Sequence, residues 1–361
     1  MKKTKLYNQH LQHQAKMVDF AGFTMPIQYP SGIIAEHEKV RTAVGVFDVS
    51  HMGEFIVKGD DALAYIQKLT TNDASKLELG KAQYSSMCLT NGGIVDDLLV
   101  YHCGDYYMLV VNGANIDKDF VWAKQNTAGF SVSLSDESDE YSLLAVQGPK
   151  SIETLQKLTT IDLSAVAYYS FVNGEINGIP VIYSRTGYTG EIGFEVYFKG
   201  DEAVATQVWD AIFAAGEEFG IAPIGLGARD TLRLEKGYCL YGNDITEQTN
   251  PLEAGLGWIT KLAKGAFNGS DVIQEVKTAG VQRKLVGFKV LAEKFIPRNG
   301  YEIVADGAVV GTVTSGSLSP NLGYGIGLGY VATALSTPGS IINISARNKL
   351  FEAEVVKIPF L

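Results

Sequence analysis

Apolar and polar positions in residues 1–265 follow two different periods, which predicts a mixture of strands and amphipathic helices. Alternation with period two predicts strands at residues 179–185 and 194–198, on either side of a glycine-containing loop. Apolar residues at helical spacing predict helices at residues 202–219 and 226–236. The second helix is expected to stop at Gly237, because glycine is a common helix terminator. This part of the chain is therefore expected to be α+β.

Two stretches of this region resemble each other in sequence. Residues 66–73 read IQKLTTND and residues 155–162 read LQKLTTID, and the same offset aligns residues 57–59 with residues 146–148. Each copy predicts a strand, a glycine turn and a helix with one apolar face. Short, ordinary helices can match by coincidence, but we interpret the pattern as a structural duplication.

The pattern changes near residue 280, after a short predicted helix at residues 268–278. From Arg283 onward, strands alternate with tight turns, and the turn at residues 306–307 is an Asp-Gly pair between two apolar runs. The chain ends in another predicted hairpin, formed by residues 341–345 and 350–358. These features predict a separate all-β domain, a small barrel or jelly roll.

Composition and charge narrow the possible functions. The chain has 361 residues, 46% of them hydrophobic, which suffices for two or three domains with substantial cores. The formal net charge is −10 and the basic residues form no stripe, so no nucleic-acid-binding surface is expected. A few arginines in a pocket can still bind a small anion, because distant charges are screened.

Cysteines, histidines and the N-terminus show no metal site and no targeting signal. Cys88, Cys103 and Cys239 have no metal-binding spacing and are expected to be free thiols. Among the histidines, only His10 and His13 are neighbours in sequence, so no metal is predicted. No apolar core follows the basic N-terminus, and no apolar stretch is long enough to span a bilayer. We expect a soluble, cytoplasmic protein that does not contact membranes.

Residues 92–101, GGIVDDLLVY, carry the strongest chemical signal. Asp96 and Asp97 open an apolar run that continues as a predicted hairpin of residues 98–103 and 106–111. Strand interiors disfavour aspartate, and burying an unpaired carboxylate is costly. Neighbouring side chains of a strand point to opposite faces, so at most one of the two points inward. A carboxylate held there either bonds the turn amides after Gly92 and Gly93 or meets a ligand, as a general base or a partner for an amine.

Three further groups of polar residues are candidates for a ligand site, and each also has a simple structural explanation. Residues 47–55, FDVSHMGEF, are a candidate site or a plain loop. Glu195 and Tyr197 share a strand face that points either to solvent or to a ligand cavity. Arg229 and Arg233 share a helix face and either meet a ligand or pair with acidic neighbours at the surface.

Taken together, these segments resemble the aminomethyltransferases, the T-proteins of the glycine cleavage system. The matching stretches follow the family's order over nearly the whole chain and are residues 16–26 (KMVDFAGFTMP), 47–55, 92–101, 184–191 (SRTGYTGE), 225–230 (GLGARD), 250–251 (NP) and 314–316 (TSG). Each stretch is weak evidence alone, but the set is highly specific.

The resemblance implies a three-domain, folate-binding fold around a central channel that admits tetrahydrofolate. Residues 1–265 would form two interleaved α+β subdomains, the inner one at about 52–137, and residues 280–361 the C-terminal all-β barrel or jelly-roll domain. The implied reaction transfers the aminomethyl-derived carbon from the lipoyl arm of H-protein to tetrahydrofolate. Its products are 5,10-methylene-tetrahydrofolate, ammonia and dihydrolipoyl H-protein. We expect a monomer.

The resemblance also implies roles for individual residues. Asp97, rather than Asp96, matches the catalytic carboxylate that contacts the bridging anilino nitrogen of folate. Glu195 and Arg229 match pterin contacts, which is chemically apt because a carboxylate can accept two N–H bonds from a pterin. Arg298 resembles a position near the channel mouth that contacts the lipoyl arm or H-protein. The other positions expected to bind folate are Met52, Tyr84, Tyr101, Asn112, Tyr188, Tyr238 and Arg347.

Two alternative functions use the same kind of pocket. A tetrahydrofolate-dependent demethylase would accept a small free substrate instead of H-protein. A non-enzymatic folate-binding factor for iron–sulfur protein maturation would bind folate without turnover, and residues 236–242, KGYCLYG, are reminiscent of that family. An oxidase that joins a flavin domain to a folate module is not expected, since no flavin domain precedes residue 1.

Overall fold

The computed structural model describes all 361 residues, which divide into two compact units. The first unit contains Met1–Ile66, Ala74–Tyr84 and Leu98–Asp230. The second unit contains Gln67–Asp73, Ser85–Asp97 and Thr231–Leu361. No helix is both long enough and apolar enough to cross a membrane.

Nineteen strands and eight α-helices make up the regular structure. Before the C-terminal barrel, the strands are β1 (Lys16–Phe20), β2 (Phe23–Gln28), β3 (Gly45–Asp48), β4 (Gly53–Lys58), β5 (Ala82–Cys88), β6 (Ile94–His102), β7 (Tyr107–Val111), β8 (Ser133–Asp136), β9 (Tyr141–Gln147), β10 (Phe171–Ile176), β11 (Ile179–Ser184), β12 (Gly193–Lys199) and β13 (Ala222–Pro223). The barrel strands are β14 (Arg283–Val290), β15 (Glu302–Ala305), β16 (Ala308–Leu318), β17 (Gly325–Ala332), β18 (Ile341–Ala346) and β19 (Lys349–Val356). The helices are α1 (Tyr7–Gln12), α2 (Ile33–Thr42), α3 (Ala62–Leu69), α4 (Ile116–Gln125), α5 (Ser151–Gln156), α6 (Glu202–Gly216), α7 (Leu226–Glu235) and α8 (Ser270–Ala279).

The strand order confirms the duplication predicted from the sequence repeat. One sheet has the order β5-β6-β7-β4-β8 and another has the order β10-β11-β12-β9-β3-β13. In the first sheet, β4 opens the repeat and pairs with β7, the last of the three strands β5, β6 and β7 that follow it. In the second sheet, β9 opens the repeat and pairs with β12, the last of the three strands β10, β11 and β12. The strand before each copy joins the other sheet, because β3 pairs with β9 and β8 pairs with β4.

The glycine of each repeat has the same backbone conformation and the same close contact. Gly59 has a φ of +126° and Gly148 a φ of +125°, which side chains rarely adopt. A Cβ on Gly59 would lie 2.3 Å from the carbonyl oxygen of Ser131, and one on Gly148 would lie 2.5 Å from that of Ala43. Glycine is therefore required at the strand-to-helix turn in both copies.

The core of the six-stranded sheet determines which way its functional strand faces. Phe194, Val196 and Phe198 of β12 pack with Val208 and Trp209 of α6 in one hydrophobic cluster. Helix α6 begins as expected, since its N-cap Asp201 accepts a 3.0 Å hydrogen bond from the amide of Val204. The alternate residues of β12 point to the opposite face of the sheet, as predicted.

The C-terminal strands form a closed barrel of order β14-β17-β16-β15-β18-β19, which confirms the barrel form of the predicted β domain. Both predicted hairpins have two-residue turns with positive φ at each turn residue, as a type I′ turn requires. The φ values are 50° and 76° at Asp306 and Gly307, and 52° and 59° at Arg347 and Asn348. The predicted division into residues 1–265 and 280–361 stays a prediction.

Candidate active site

Glu195 is the buried carboxylate at the centre of a polar cluster in the first unit. Its side chain lies on the face of β12 that it shares with Tyr197, and the residue is only 8% exposed. Burial raises the pKa of Glu195, whereas a hydrogen bond from the Thr186 hydroxyl to Oε2 and the positive charge of Arg229 oppose that rise. From the sequence, the face of β12 that carries Glu195 and Tyr197 could point either to solvent or to a ligand cavity. The burial of both residues shows that this face is not exposed to solvent.

Arg229 of α7 approaches the ring of Tyr188. The guanidinium carbon lies 4.7 Å from the ring centroid, within the range of a cation–π contact. Gln147 fixes the loop that carries Tyr188, because its Nε2 donates to the carbonyl oxygen of Thr186 at 3.2 Å. Its Oε1 accepts a 2.8 Å bond from the hydroxyl of Thr189. Arg229 of α7 and Tyr188 of this fixed loop thus form a flat cationic and aromatic pair.

The loop after β3 is held by a buried network that the sequence did not reveal. His10 contacts Asp48 at 2.9 Å through Nε2, and the hydroxyl of Thr4 donates to Asp48 at 2.6 Å. The amide of Ser50 donates to the other oxygen of Asp48 at 2.9 Å. These bonds hold the pKa of Asp48 at about 2, against the effect of burial. The structural explanation, a loop whose Asp48 and Ser50 bond to the backbone, is confirmed, because Asp48 accepts from the Ser50 amide and the hydroxyl of Ser50 accepts from the Leu143 amide at 2.9 Å. The contact of Asp48 with His10 in addition ties this loop to α1.

His51 in the same loop is 4% exposed, and its Nδ1 has no hydrogen-bond partner. Its ring packs edge-on against Phe20, with 5.4 Å between ring centroids. Burial, helped by the positive charge of Arg229, lowers the pKa of His51 from 6.5 to about 4, although Asp48 acts in the opposite direction. The imidazole is therefore neutral at neutral pH.

We expect this neutral histidine to make stability depend on pH. The unfolded chain protonates His51 near pH 6.5, but the folded protein does so only near pH 4. Unfolding therefore takes up a proton in this interval, so stability falls by about 3 kcal/mol as the pH drops from 6.5 to 4. Urea unfolding of wild type and of His51→Phe at several pH values measures this. The variant should lose most of that slope, and an unchanged slope would contradict the assignment.

Asp97 lies in the second unit, inside β6 rather than before it, since the strand begins at Ile94. Asp96 is fully buried and Asp97 is partly exposed, as strand alternation requires of neighbours. Asp97 is close enough to Cys239 for its charge to help raise the pKa of that thiol, although burial is the larger cause. The more accessible carboxylate is therefore the one at residue 97.

The amides of both glycines in the turn before β6 have hydrogen-bond partners. The amide of Gly92 donates to the carbonyl oxygen of Leu89 at 3.0 Å, and the amide of Gly93 donates to Oδ1 of Asn91 at 3.0 Å. Gly93 also needs to be glycine, because a Cβ there would lie 1.9 Å from the carbonyl oxygen of Glu247. The amides of Gly92 and Gly93 thus both donate to groups other than the two aspartates.

Tyr238 lies in a loop that an internal ion pair fixes. Arg233 is 1% exposed, and its guanidinium donates to Asp244 at 2.8 Å, to the carbonyl oxygen of Tyr238 at 2.9 Å and to the hydroxyl of Ser315 at 2.8 Å. Asp244 also accepts a 2.9 Å bond from the amide of Leu240. Surface pairing, one explanation of Arg233 from sequence, is wrong.

The remaining candidate residues differ in exposure. Tyr101 is fully buried, whereas Arg347 in its hairpin turn and Arg298 are exposed. Arg298 donates to the carbonyl oxygen of Gly316 at 3.4 Å. The partly exposed candidates are Met52, Tyr84, Asn112, Tyr188, Arg229 and Tyr238. No group of three or more His, Cys, Asp or Glu side chains is arranged to hold a metal ion, and none of the three cysteines forms a disulfide.

Comparisons with known proteins agree over the full length. The GCVT N-terminal domain profile matches residues 6–264, and the glycine cleavage T-protein C-terminal barrel domain profile matches residues 283–361. An aminomethyltransferase of Flavobacterium psychrophilum is 57% identical over 100% of this chain and 99% of its own, and one of Halothermothrix orenii is 51% identical over 100% of both. The crystal structure of the glycine cleavage system aminomethyltransferase T from Bartonella henselae superposes with a TM-score of 0.93, at 31% identity, over 100% of this chain and 98% of that one.

The fold, the buried polar cluster and the full-length similarity to aminomethyltransferases together define an enzyme of the aminomethyltransferase class. The chain belongs to the glycine cleavage T-protein family. The demethylase and maturation-factor alternatives are not favoured by these comparisons.

Proposed function

We propose that the enzyme transfers the aminomethyl-derived carbon of lipoyl-bound H-protein to tetrahydrofolate in glycine cleavage. The observation that carries the site assignment is the position of Asp97 inside β6, where its carboxylate stays partly exposed while its neighbour Asp96 is buried. A partly exposed carboxylate in a β-strand is well suited to bind or activate an amine.

Two C–N bonds form and two bonds break in this reaction. N5 and N10 of tetrahydrofolate bond to the transferred carbon, while that carbon loses its bonds to the amino nitrogen and to the lipoyl sulfur. The two protons released from the folate nitrogens end on ammonia and on the dihydrolipoyl thiol. Asp97 accepts a proton from an attacking folate nitrogen and holds that nitrogen in line with the carbon.

Glu195 and Arg229 orient the pterin. The Glu195 carboxylate accepts N–H bonds from the pterin amide and amino group, and the Arg229–Tyr188 pair supplies a flat surface. Met52, Tyr84, Tyr101, Asn112, Tyr238 and Arg347 complete the folate site. Excluding water protects the iminium-like fragment from hydrolysis.

H-protein is the macromolecular partner, and exposed Arg298 contacts it or its lipoyl arm. The enzyme acts as a monomer and needs no metal. Location in the cytoplasm stays a prediction from the sequence.

Ammonia release tests this function. Purified enzyme is incubated with aminomethylated H-protein, with and without tetrahydrofolate, and ammonia is measured over time. We expect rapid release only when both are present. Turnover of sarcosine or dimethylglycine in place of H-protein would instead indicate a demethylase. Folate binding without any turnover would indicate a maturation factor.

A further inference from the structure

Four buried hydroxyl groups connect to the Glu195 carboxylate within the first unit, and we call them the hydroxyl chain. Its members are Tyr197, Tyr101, Ser184 and Thr186, each no more than 3% exposed. The hydroxyls of Tyr197 and Tyr101 are 3.0 Å apart, Tyr101 and Ser184 are 3.0 Å apart, and Ser184 and Thr186 are 3.0 Å apart. Thr186 completes the chain with its bond to Oε2 of Glu195.

The hydroxyl chain has one direction when Glu195 is charged. Each hydroxyl has a single proton to donate. Because a carboxylate can only accept, Thr186 donates to Glu195 and must accept from Ser184. By the same reasoning Tyr197 donates to Tyr101, and Tyr101 donates to Ser184 or to the hydroxyl of Thr186, which lies 3.3 Å from it. All four hydroxyl dipoles therefore point towards the carboxylate, an arrangement in which each hydrogen bond strengthens the next.

We propose that the hydroxyl chain is a positioning device that holds Oε2 of Glu195 and keeps its carboxylate charged for ligand binding. This inference rests on the proposed function, in which Glu195 meets the pterin. It adds a specificity rule, because a charged carboxylate pairs with a ligand edge that carries two N–H donors and disfavours an edge that presents a carbonyl oxygen. Thr186 is the positioning residue that connects the chain to Glu195.

Burial and the neighbouring charged groups also affect the protonation of Glu195. Arg229 of α7 favours the charged carboxylate, and burial disfavours it. Glu54 of β4 is fully buried, its pKa lies well above the usual value, and Glu195 contributes to that rise. Removing the Thr186 hydroxyl should raise the pKa of Glu195 further, so protonation would compete with ligand binding at a higher pH.

Tetrahydrofolate binding, measured anaerobically by calorimetry between pH 5 and 8, tests the proposal. We expect Thr186→Val to weaken binding at least tenfold at pH 7 and to move the acid-side loss of affinity to a higher pH than in wild type. Thr186→Ser should restore both, because it keeps the donor. Tyr197→Phe, four hydrogen bonds away from Glu195 along the hydroxyl chain, should shift the pH profile in the same direction by less. Thr154→Val is the matched control, since this buried threonine of α5 donates to the carbonyl oxygen of Lys150, the residue before that helix.

The outcomes separate this inference from the proposed function. A wild-type enzyme that does not bind tetrahydrofolate would overturn the proposed function. If wild type binds and Glu195→Gln does not, but Thr186→Val and Tyr197→Phe keep the wild-type affinity and pH profile, the hydroxyl chain has no positioning role. If Thr186→Val does not fold, the pH profile of Tyr197→Phe tests the proposal. A shift of that profile to higher pH supports the positioning role, and a wild-type profile contradicts it. A deaminated pterin with a 2-oxo group should bind far more weakly than the 2-amino form, and equal binding would contradict the specificity rule.

Discussion

Asp97→Asn should lower the single-turnover rate of aminomethyl transfer by about 10²- to 10⁴-fold, the usual contribution of a general base. The amide keeps the size of the carboxylate and a carbonyl oxygen, but it cannot take a proton from a folate nitrogen. The dissociation constant for tetrahydrofolate should stay within a few-fold of wild type, because the proposed function assigns pterin binding to Glu195 and Arg229. Rapid-quench measurement of ammonia and calorimetry of folate binding give the two quantities.

Asp105→Asn provides the matched control for Asp97→Asn. Asp105 is an exposed residue of the β6–β7 turn and should tolerate the change without effect. A wild-type rate in Asp97→Asn would remove Asp97 from the mechanism. A large loss of folate affinity at an unchanged rate would make Asp97 a binding residue only.

Asp244→Ala should destabilise the protein by about 3–5 kcal/mol, which is the cost of leaving a buried charge without its partner. Arg233 is almost completely buried, and Asp244 is its charged partner at 2.8 Å. Asp244 also accepts bonds from Thr314, Ser315 and the Leu240 amide, so its loss leaves several donors unsatisfied. Urea unfolding at pH 7, followed by circular dichroism, measures the change in the free energy of unfolding.

Two further variants make that result specific. Asp271→Ala removes an exposed aspartate in the first turn of α8 and should cost less than about 1 kcal/mol. The double variant with Arg233→Met and Asp244→Leu should be more stable than Asp244→Ala, since neither charge is left alone. A loss below about 1 kcal/mol in Asp244→Ala would show that the ion pair has little net effect.

Local patterns predicted the elements of the fold well. The alternation in β12, the helical period in α6 and the Asp-Gly turn of β15–β16 are properties of short segments, and the structure has all three. The start of β6 was placed too late because aspartate is disfavoured in strands. In the structure, β6 already begins at Ile94, whose carbonyl oxygen accepts a 3.0 Å bond from the hydroxyl of Tyr241, and the strand runs through both aspartates.

Long-range pairings within the candidate site were beyond sequence reasoning. His10 and Asp48, or Arg233 and Asp244, can be matched only when their elements are already packed, since no spacing rule relates them. Residue types alone also left Asp96 and Asp97 equivalent, and only resemblance to a family chose between them. The burial of Asp96 and the exposure of Asp97 supply a physical distinction that the sequence does not contain.

Carbon-13 NMR of a single turnover tests the central claim most directly. Enzyme in excess is mixed with H-protein whose lipoyl aminomethyl carbon is labelled, together with tetrahydrofolate. We predict that the label appears in 5,10-methylene-tetrahydrofolate, and that Asp97→Asn slows its appearance without diverting it. Label found in hydrated formaldehyde or in 5-methyl-tetrahydrofolate, or label left on the lipoyl arm, would contradict the account.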